Sequence, residues 1–155
     1  MTIKIIKTSD TELLATLNHD VQKIHHNIEP ELFKPYDKDN MKKLFDDMLE
    51  DEKNSAYVAY FDEVVAGYML LSKKYNEANY FKESYATIQI DQICIESDFK
   101  GKGIGKSLVD FAKTYAKELD ISRIEMNYWT KNNNSGEFFR SQGFENYNER
   151  LVIKI

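Results

Sequence analysis

The sequence predicts an α/β protein with a mixed sheet, formed by a single domain over residues 1–155. Three observations support this class. Runs with the strand period of two alternate along the chain with runs at helical spacing. Hydrophobic residues make up 42% and charged residues 30%, as in folded globular proteins. No internal repeat, low-complexity tract or Gly/Ser linker divides the chain. The predicted order of elements is β-α-α-β-β-β-α-β-α-β(-β).

The first half of the chain predicts one strand and two helices. Residues 3–7 alternate well enough to form the first strand, and Ser9 or Asp10 can cap the helix that follows. This helix has one apolar face and is expected to end before Pro30, because the residue before a proline is pushed out of helical geometry. A second amphipathic helix is predicted near residues 38–50.

The middle of the chain predicts three strands and a long helix. SAYVAYF (55–61) and VVAGYMLLSKK (64–74) are separated only by Asp62-Glu63, the pattern of a hairpin. The third run, YATIQIDQICIES, covers residues 85–97 and ends just before a cluster of glycines. Residues 104–119 then repeat apolar side chains at helical spacing.

The last part of the chain predicts shorter elements. RIEMNYWT (123–130) is typical of a strand, and residues 136–142 of a short helix that Gly143 ends. The final segment FENYNERLVIKI (144–155) predicts two short strands.

Charge and cysteine content narrow the possible functions. The net charge of −5 argues against a nucleic-acid-binding protein, which normally carries a basic face. An acidic surface favours a cationic substrate through long-range attraction. No stretch approaches the roughly 20 apolar residues of a membrane helix. The N-terminus is too short and polar for a signal peptide, and the single Cys94 rules out an internal disulfide, so we expect a cytoplasmic protein.

The stretch SDFKGKGIGKSL (97–108) lies between a predicted strand and a predicted helix. A Walker A loop would require glycine at Lys100, and a dinucleotide fingerprint would require glycine at Lys106 or Leu108, so both motifs fail. Free N–H groups at a helix N-terminus nevertheless favour an anion, and glycines let the backbone approach it closely. The alternative is a glycine-rich surface turn solvated by lysines.

Here the sequence resembles the GNAT superfamily of N-acetyltransferases. Its signature [QR]-x-x-G-x-[GA] between a strand and a helix is matched by Lys100–Gly105, with lysine in place of arginine or glutamine. A second family pattern, N-x-x-A-x-x-F-Y-x-x-x-G-F, aligns with Asn132–Phe144 and agrees at the asparagine, the first aromatic and the final Gly-Phe. The close match covers roughly residues 85–147.

The resemblance implies a fold and a cofactor site. The fold is a mixed, mostly antiparallel sheet flanked by helices, and the co-substrate is acetyl-CoA, with no metal. Backbone N–H groups from Gly101 to Lys106 would cradle the pyrophosphate, and the edge of the preceding strand would pair with the pantetheine arm. The implied cofactor-binding residues are Ile93, Cys94, Ile95, Lys100, Gly101, Lys102, Gly103, Ile104, Gly105, Lys106, Asn132, Phe138 and Phe139.

The resemblance also implies direct attack of an amine on the thioester. Family members often carry an acidic residue nine positions before the signature, which is Asp91 here, so Asp91 is the candidate general base. The tyrosine that often protonates the departing thiolate is replaced by Phe139. Solvent, Tyr128 or Tyr147 would then supply the proton.

The acceptor is expected to be a primary amine of a small molecule or a peptide, and a homodimer is possible. His25 or His26, with Phe33 and Tyr36, would face the acceptor in such a fold, and Trp129 would be a core residue or a dimer contact. Two alternatives remain open. One is a non-catalytic acyl-CoA-binding or regulatory module, and the other is an interaction domain without a ligand.

Overall fold

The computed structural model describes residues 1–155 and confirms the α/β class. Its elements are β1 (Ile3–Thr8), α1 (Thr11–Leu17), α2 (His19–Ile28), α3 (Lys38–Glu50), β2 (Asn54–Phe61), β3 (Val64–Asn76), β4 (Tyr85–Ile95), a 3₁₀ turn (Ser97–Phe99), α4 (Ile104–Glu118), β5 (Ile124–Met126) and α5 (Asn133–Ser141). The five strands form one sheet in the order β1-β2-β3-β4-β5. β1 to β4 pair antiparallel, and β4 and β5 pair parallel.

Both faces of the sheet are covered, so the core has two halves. On one face α4 packs through Ile104, Leu108 and Ala112 against apolar side chains of β2, β3 and β4. On the other face α1 and α3 bury Leu14 and Phe45 against the same strands. Burial on both faces explains why the middle strands are nearly continuous apolar runs instead of alternating ones.

The first predicted helix is in fact two helices, α1 and α2, which meet at Asn18. The Asn18 side chain is only 1% exposed, because it reaches into the sheet and hydrogen-bonds there instead of facing solvent. Asn18 keeps helical φ and ψ of −74° and −10°, and its N–H bonds to Leu14 O, so the two helices join without a loop.

The two strands predicted for residues 144–155 do not form, and the strand before them is shorter than predicted. Residues 144–155 contain no strand, and β5 is three residues long where eight were predicted for 123–130. The alternating pattern of the segment is typical of a strand. A strand also needs a partner edge, however, and no other part of the chain pairs with this one.

The predicted hairpin between β2 and β3 is confirmed, with Asp62 and Glu63 both at positive φ, as a two-residue turn of this kind requires.

None of the helices combines the length and the apolar run needed to cross a bilayer.

Candidate functional site

The sheet opens at Asp91, in the middle of β4. The pairing of β3 with β4 runs from Leu70↔Gln92 directly to Leu71↔Ile90, so Asp91 has no partner and forms a β-bulge. On its other side β4 pairs with β5 only from Ile88 to Ile90. From Asp91 onward, the edge of β4 that faces β5 is therefore unpaired. Backbone donors and acceptors along this edge are free to bind a ligand.

Asp91 is held by a serine that the sequence analysis missed. The hydroxyl of Ser72, on β3, donates a hydrogen bond to the Asp91 carboxylate, and Ser72 itself is only 7% exposed. Asp91 is half-buried, so its carboxylate combines a fixed orientation with access to solvent. The pairing register of β3 with β4 brings the two residues together, and no local sequence pattern reveals that register.

A buried polar network lies beside the bulge and was also missed. The Asn18 amide donates to the hydroxyl of Tyr68 at 2.9 Å and to Gln92 Oε1 at 3.2 Å. The Tyr68 hydroxyl donates to the same Gln92 oxygen at 2.7 Å. Burial raises the pKa of Tyr68, so its hydroxyl stays a neutral donor. Since both bonds reach one oxygen, the amide nitrogen of Gln92 is turned away from the network and has no partner within the chain.

The glycine loop lies where the open edge of β4 ends. Gly101 and Gly103 have φ of +77° and +83°, which side-chain-bearing residues rarely adopt. In this conformation the N–H groups of Gly101, Gly103, Ile104, Gly105 and Lys106 donate to no acceptor in the chain. The first intrahelical bond of α4 is that of Ser107 N to Gly103 O. Five unpaired donors at a helix N-terminus form an anion-binding concavity.

The three lysines of the loop have different surroundings. Lys106 forms an ion pair with Asp110 one turn along α4. Lys102 lies over the rings of Phe61 and Phe99, 5.2 and 5.0 Å from their centroids. Lys100 has no ion-pair partner. Positive charge therefore remains at the loop, chiefly from Lys100 and Lys102.

The strand segment before the loop is held closely against β3. Ile93 and Ile95 pack toward the α4 side of the core, and Cys94 lies on the opposite face with 7% exposure. Burial raises the pKa of the Cys94 thiol to about 12, so it is a neutral packing group and not a nucleophile. A Cβ on Gly67 would come within 2.3 Å of the Cys94 carbonyl oxygen, so only glycine fits there. The role of Gly67 was not anticipated.

The second family pattern supplies the start of α5. Asn132 caps this helix by accepting a hydrogen bond from Ser135 N at 3.3 Å. Phe138 lies against α4, where a Cβ on Gly105 would meet its ring at 2.9 Å. Phe139 is 3% exposed and packs between Phe138 and Phe144, with centroid distances of 5.0 and 5.4 Å. Phe139 is therefore a core residue in this structure.

An aromatic cluster joins α2, the loop after α2 and the segment after β5. The ring of His25 stacks on Phe33 at 4.9 Å, and Trp129 meets Phe33 edge-on at 5.2 Å. Burial lowers the pKa of His25, which keeps the ring neutral. A cleft of about 390 Å³ opens next to it, lined by Ile24, Asn27, Ile28, Lys131, Asn132, Asn133 and Asn134. Tyr36 instead donates its hydroxyl proton to the Ala15 carbonyl.

Three other titratable residues lie on the elements around the site, and they are Tyr128, Tyr147 and Glu96. The hydroxyl of Tyr128 accepts a hydrogen bond from Arg140 at 2.8 Å, and the exposed ring of Tyr147 stacks on Arg123. At the end of β4, burial and then the charges of Asp20 and Asp98 raise the pKa of Glu96. No group of three His, Cys, Asp or Glu side chains is arranged to hold a metal ion.

Comparison with known proteins identifies the family of this chain. The profile of the acetyltransferase (GNAT) family matches residues 20–144. The chain belongs to this family.

Individual proteins resemble this chain in sequence or in fold. Streptothricin acetyltransferase of Escherichia coli is 26% identical over 153 residues, covering 93% of this chain and 80% of the relative. Among solved structures, a tetramutant of the BH1408 protein of Bacillus halodurans superposes with a TM-score of 0.89 at 19% identity, with full coverage of both chains. A predicted acetyltransferase of Clostridium acetobutylicum, solved with acetyl-CoA, gives a TM-score of 0.74 at 18% identity and covers 99% of this chain and 96% of its own.

Proposed function

We propose that this GNAT acetyltransferase transfers the acetyl group of acetyl-CoA to a primary amine of a small molecule or a peptide, by direct attack of the amine. The observation that carries the proposal is the set of five unpaired N–H groups from Gly101 to Lys106. They surround the N-terminus of a 15-residue helix and fit the charge and the acceptor oxygens of a diphosphate. Lys100 and Lys102 add positive charge beside it.

The open edge of β4 suits the extended part of the same co-substrate. Residues 93–95 pair with β3 on one side and with nothing on the other. An extended pantetheine arm carries amide groups, and such an arm can pair with a free strand edge as an added strand would. In this arrangement the thioester lies toward the bulge at Asp91.

Asp91 is the proposed general base. An amine attacks only in its neutral form, and the Asp91 carboxylate, held by Ser72, can accept its proton directly or through water. The amine nitrogen then forms a bond to the carbonyl carbon, and the bond from that carbon to sulfur breaks. A backbone N–H of β4, or the free amide nitrogen of Gln92, can stabilise the negative charge on the carbonyl oxygen.

The departing thiolate takes its proton from solvent. Phe139 has no proton to give and lies in the core. The hydroxyl of Tyr128 accepts a hydrogen bond from Arg140 and keeps its own proton, so Tyr128 is the alternative donor. A thiol pKa of about 8.5 makes the thiolate a tolerable leaving group near neutral pH. The reaction therefore does not require a side-chain acid.

The acceptor is proposed to be cationic and, in its bound part, flat or apolar. The supporting observations are the net charge of −5, the His25–Phe33–Trp129 aromatic cluster and the adjoining cleft. The similarity to streptothricin acetyltransferase directs attention to small-molecule amines.

Calorimetric titration with acetyl-CoA tests the proposal. Wild type should bind with micromolar affinity, and Gly103→Glu should abolish binding because a carboxylate would occupy the anion site. Gly143→Glu is the matched control, since Gly143 also has positive φ and open surroundings but lies after α5. No binding at millimolar acetyl-CoA would refute the proposal.

Thiol release during incubation with a panel of amines tests turnover. Binding without turnover on any cationic antibiotic, polyamine or peptide would favour the alternative, a non-catalytic acyl-CoA-binding module.

A further inference from the structure

The bulge at Asp91 puts two consecutive side chains of β4 on one face of the sheet. Tyr68 and Ser72 are four residues apart on β3, so both point to the same face. The Asp91 carboxylate accepts a hydrogen bond from Ser72 and therefore lies on that face. The Gln92 side chain accepts one from Tyr68 and lies there as well. A carboxylate and an amide of adjacent residues thus share one face, whereas neighbours in a regular strand point to opposite faces.

The face that these two side chains share is the one that α1, α2 and α3 cover. Tyr68 belongs to the half of the core that α1 and α3 form, and Val21 of α2 packs against the same residues. His25 follows Val21 by four residues, and side chains at that spacing lie on the same side of a helix. The amide of Gln92 and the aromatic cluster around His25 are therefore on the same side of the sheet.

The orientation of the Gln92 amide is determined by its two neighbours. Its Oε1 accepts hydrogen bonds from the Tyr68 hydroxyl at 2.7 Å and from Asn18 Nδ2 at 3.2 Å. Asn18 Oδ1 is fully buried and has no partner. Turning both amides over would leave the N–H donors of Asn18 unpaired there in place of one oxygen. Unpaired buried N–H groups are rarer in proteins than unpaired buried oxygens, so the nitrogen of Gln92 points away from the network.

The amide nitrogen of Gln92 is available to a ligand. Both hydrogen bonds of this side chain are made by its oxygen, and the half-buried residue leaves the nitrogen unenclosed. A pantetheine arm paired with the β4 edge would lie in the plane of the sheet, where backbone N–H groups point. The Gln92 side chain instead leaves that plane toward the helices. It is therefore placed for the acceptor and not for the thioester.

We propose that Gln92 determines acceptor specificity by donating a hydrogen bond to a carbonyl oxygen of the acceptor, and that Asn18 and Tyr68 position it. This inference rests on the proposed function, in which Asp91 takes the proton of the attacking amine. Because the two groups come from adjacent residues, the reacting nitrogen and the oxygen must be close together in the acceptor. A carbonyl oxygen fits a fixed donor because it only accepts hydrogen bonds. The substrate class is therefore an α-amino carbonyl compound, such as an amino-acid amide or a peptide N-terminus.

Gln92→Glu is the most selective variant for this test. It keeps the oxygen to which Asn18 and Tyr68 donate and replaces only the free nitrogen with an oxygen. Tyr68→Phe is the second variant and removes a positioning hydrogen bond without touching Gln92. Tyr57→Phe is the matched control, because Tyr57 is another buried tyrosine, 5% exposed, but packs on the α4 side of the sheet. Circular dichroism verifies that the three variants fold.

Acetylation rates of glycinamide and isobutylamine provide the measurement, since the two amines have similar shapes and only glycinamide carries a carbonyl oxygen. The glycinamide-to-isobutylamine ratio of kcat/KM should fall at least about 10-fold in Gln92→Glu relative to wild type. It should fall less in Tyr68→Phe and stay unchanged in Tyr57→Phe. The added charge of Gln92→Glu acts on both amines, and comparison with wild type removes their difference in basicity. If Gln92→Glu lowers both kcat/KM values by the same factor, the proposal is overturned.

Two further measurements complete the test. A triglycine amide in place of glycinamide distinguishes the two sources, because a higher kcat/KM would indicate a peptide N-terminus and a lower one an amino-acid derivative. If no amine is acetylated, the proposed function fails, and calorimetry of the first two amines with CoA-saturated protein tests the inference by itself. A preference for glycinamide that Gln92→Glu removes would support the inference, and equal affinities in wild type would overturn it.

Discussion

Replacing Gly67 with alanine should destabilise the sheet and disturb the open edge of β4 together. Gly67 lies opposite Ile95, and an added Cβ would lie 2.3 Å from the carbonyl oxygen of Cys94. Real Cβ atoms essentially never come within 3.0 Å of such an atom, so β3 and β4 must separate by at least about 0.7 Å. The obstacle is backbone, which cannot rotate away as a side chain would.

The size of the effect follows from two contributions. Overpacking of a well-packed region costs about 1–3 kcal/mol. The separation also strains the adjacent bond from Glu96 N to Ala66 O, and a typical backbone hydrogen bond contributes about 1 kcal/mol. We therefore expect the free energy of unfolding to fall by about 3 kcal/mol. For a chain of this size the melting temperature should then fall by about 6–12 °C.

Urea denaturation of wild type, Gly67→Ala and Gly143→Ala measures this effect. Gly143 has a φ of +92° and open surroundings, so its substitution adds only backbone strain, about 1–2 kcal/mol. The Gly67 variant should be the less stable of the two and should also bind acetyl-CoA more weakly, because residues 93–95 move. If Gly67→Ala unfolds at the same urea concentration as wild type, the close contact between β3 and β4 is not what requires glycine.

Three further predictions concern single side chains. Asp91→Asn should lower kcat by about 10²–10⁴-fold and leave the acetyl-CoA dissociation constant unchanged. If kcat and the affinity for acetyl-CoA fell by the same factor, the role of Asp91 as base would be contradicted. His25 is held neutral by burial, so the unfolded chain binds more protons below its pKa of about 6.5, and stability should fall as pH drops through that value. His25→Gln should flatten this part of the stability profile, and an unchanged slope would exclude His25 as the cause. Cys94 should resist Ellman's reagent at pH 8 in the native protein and react on denaturation, since burial raises its pKa to about 12; rapid labelling of the folded chain would contradict this.

The sequence predicted the elements that local pattern determines. The hairpin at Asp62-Glu63, the helix near residues 38–50 and the glycine loop before α4 all form as expected, because turn residues, helical spacing and strand alternation act over a few neighbours. The motifs also led to the family correctly.

Residues whose role depends on strand register could not be predicted in this way. Ser72 meets Asp91, and Gly67 meets the Cys94 carbonyl, only once β3 and β4 are paired with their bulge. The buried position of Asn18 was missed for a similar reason, since its amide bonds to residues 50 and 74 positions away. The C-terminal strands were overpredicted because alternation indicates a capacity for pairing and does not identify the partner.

The network of Asn18, Tyr68 and Gln92 has a consequence for the uniqueness of the fold. If β4 paired with β3 without the bulge, the residues from Gln92 onward would shift by one position and turn to the opposite face. Such a shift would remove Gln92 from the buried amide and hydroxyl that now donate to it, and each unpaired polar group costs about 1–3 kcal/mol. The three side chains thereby penalise a regular pairing of β4 with β3. They favour a strand that carries its extra residue before Gln92.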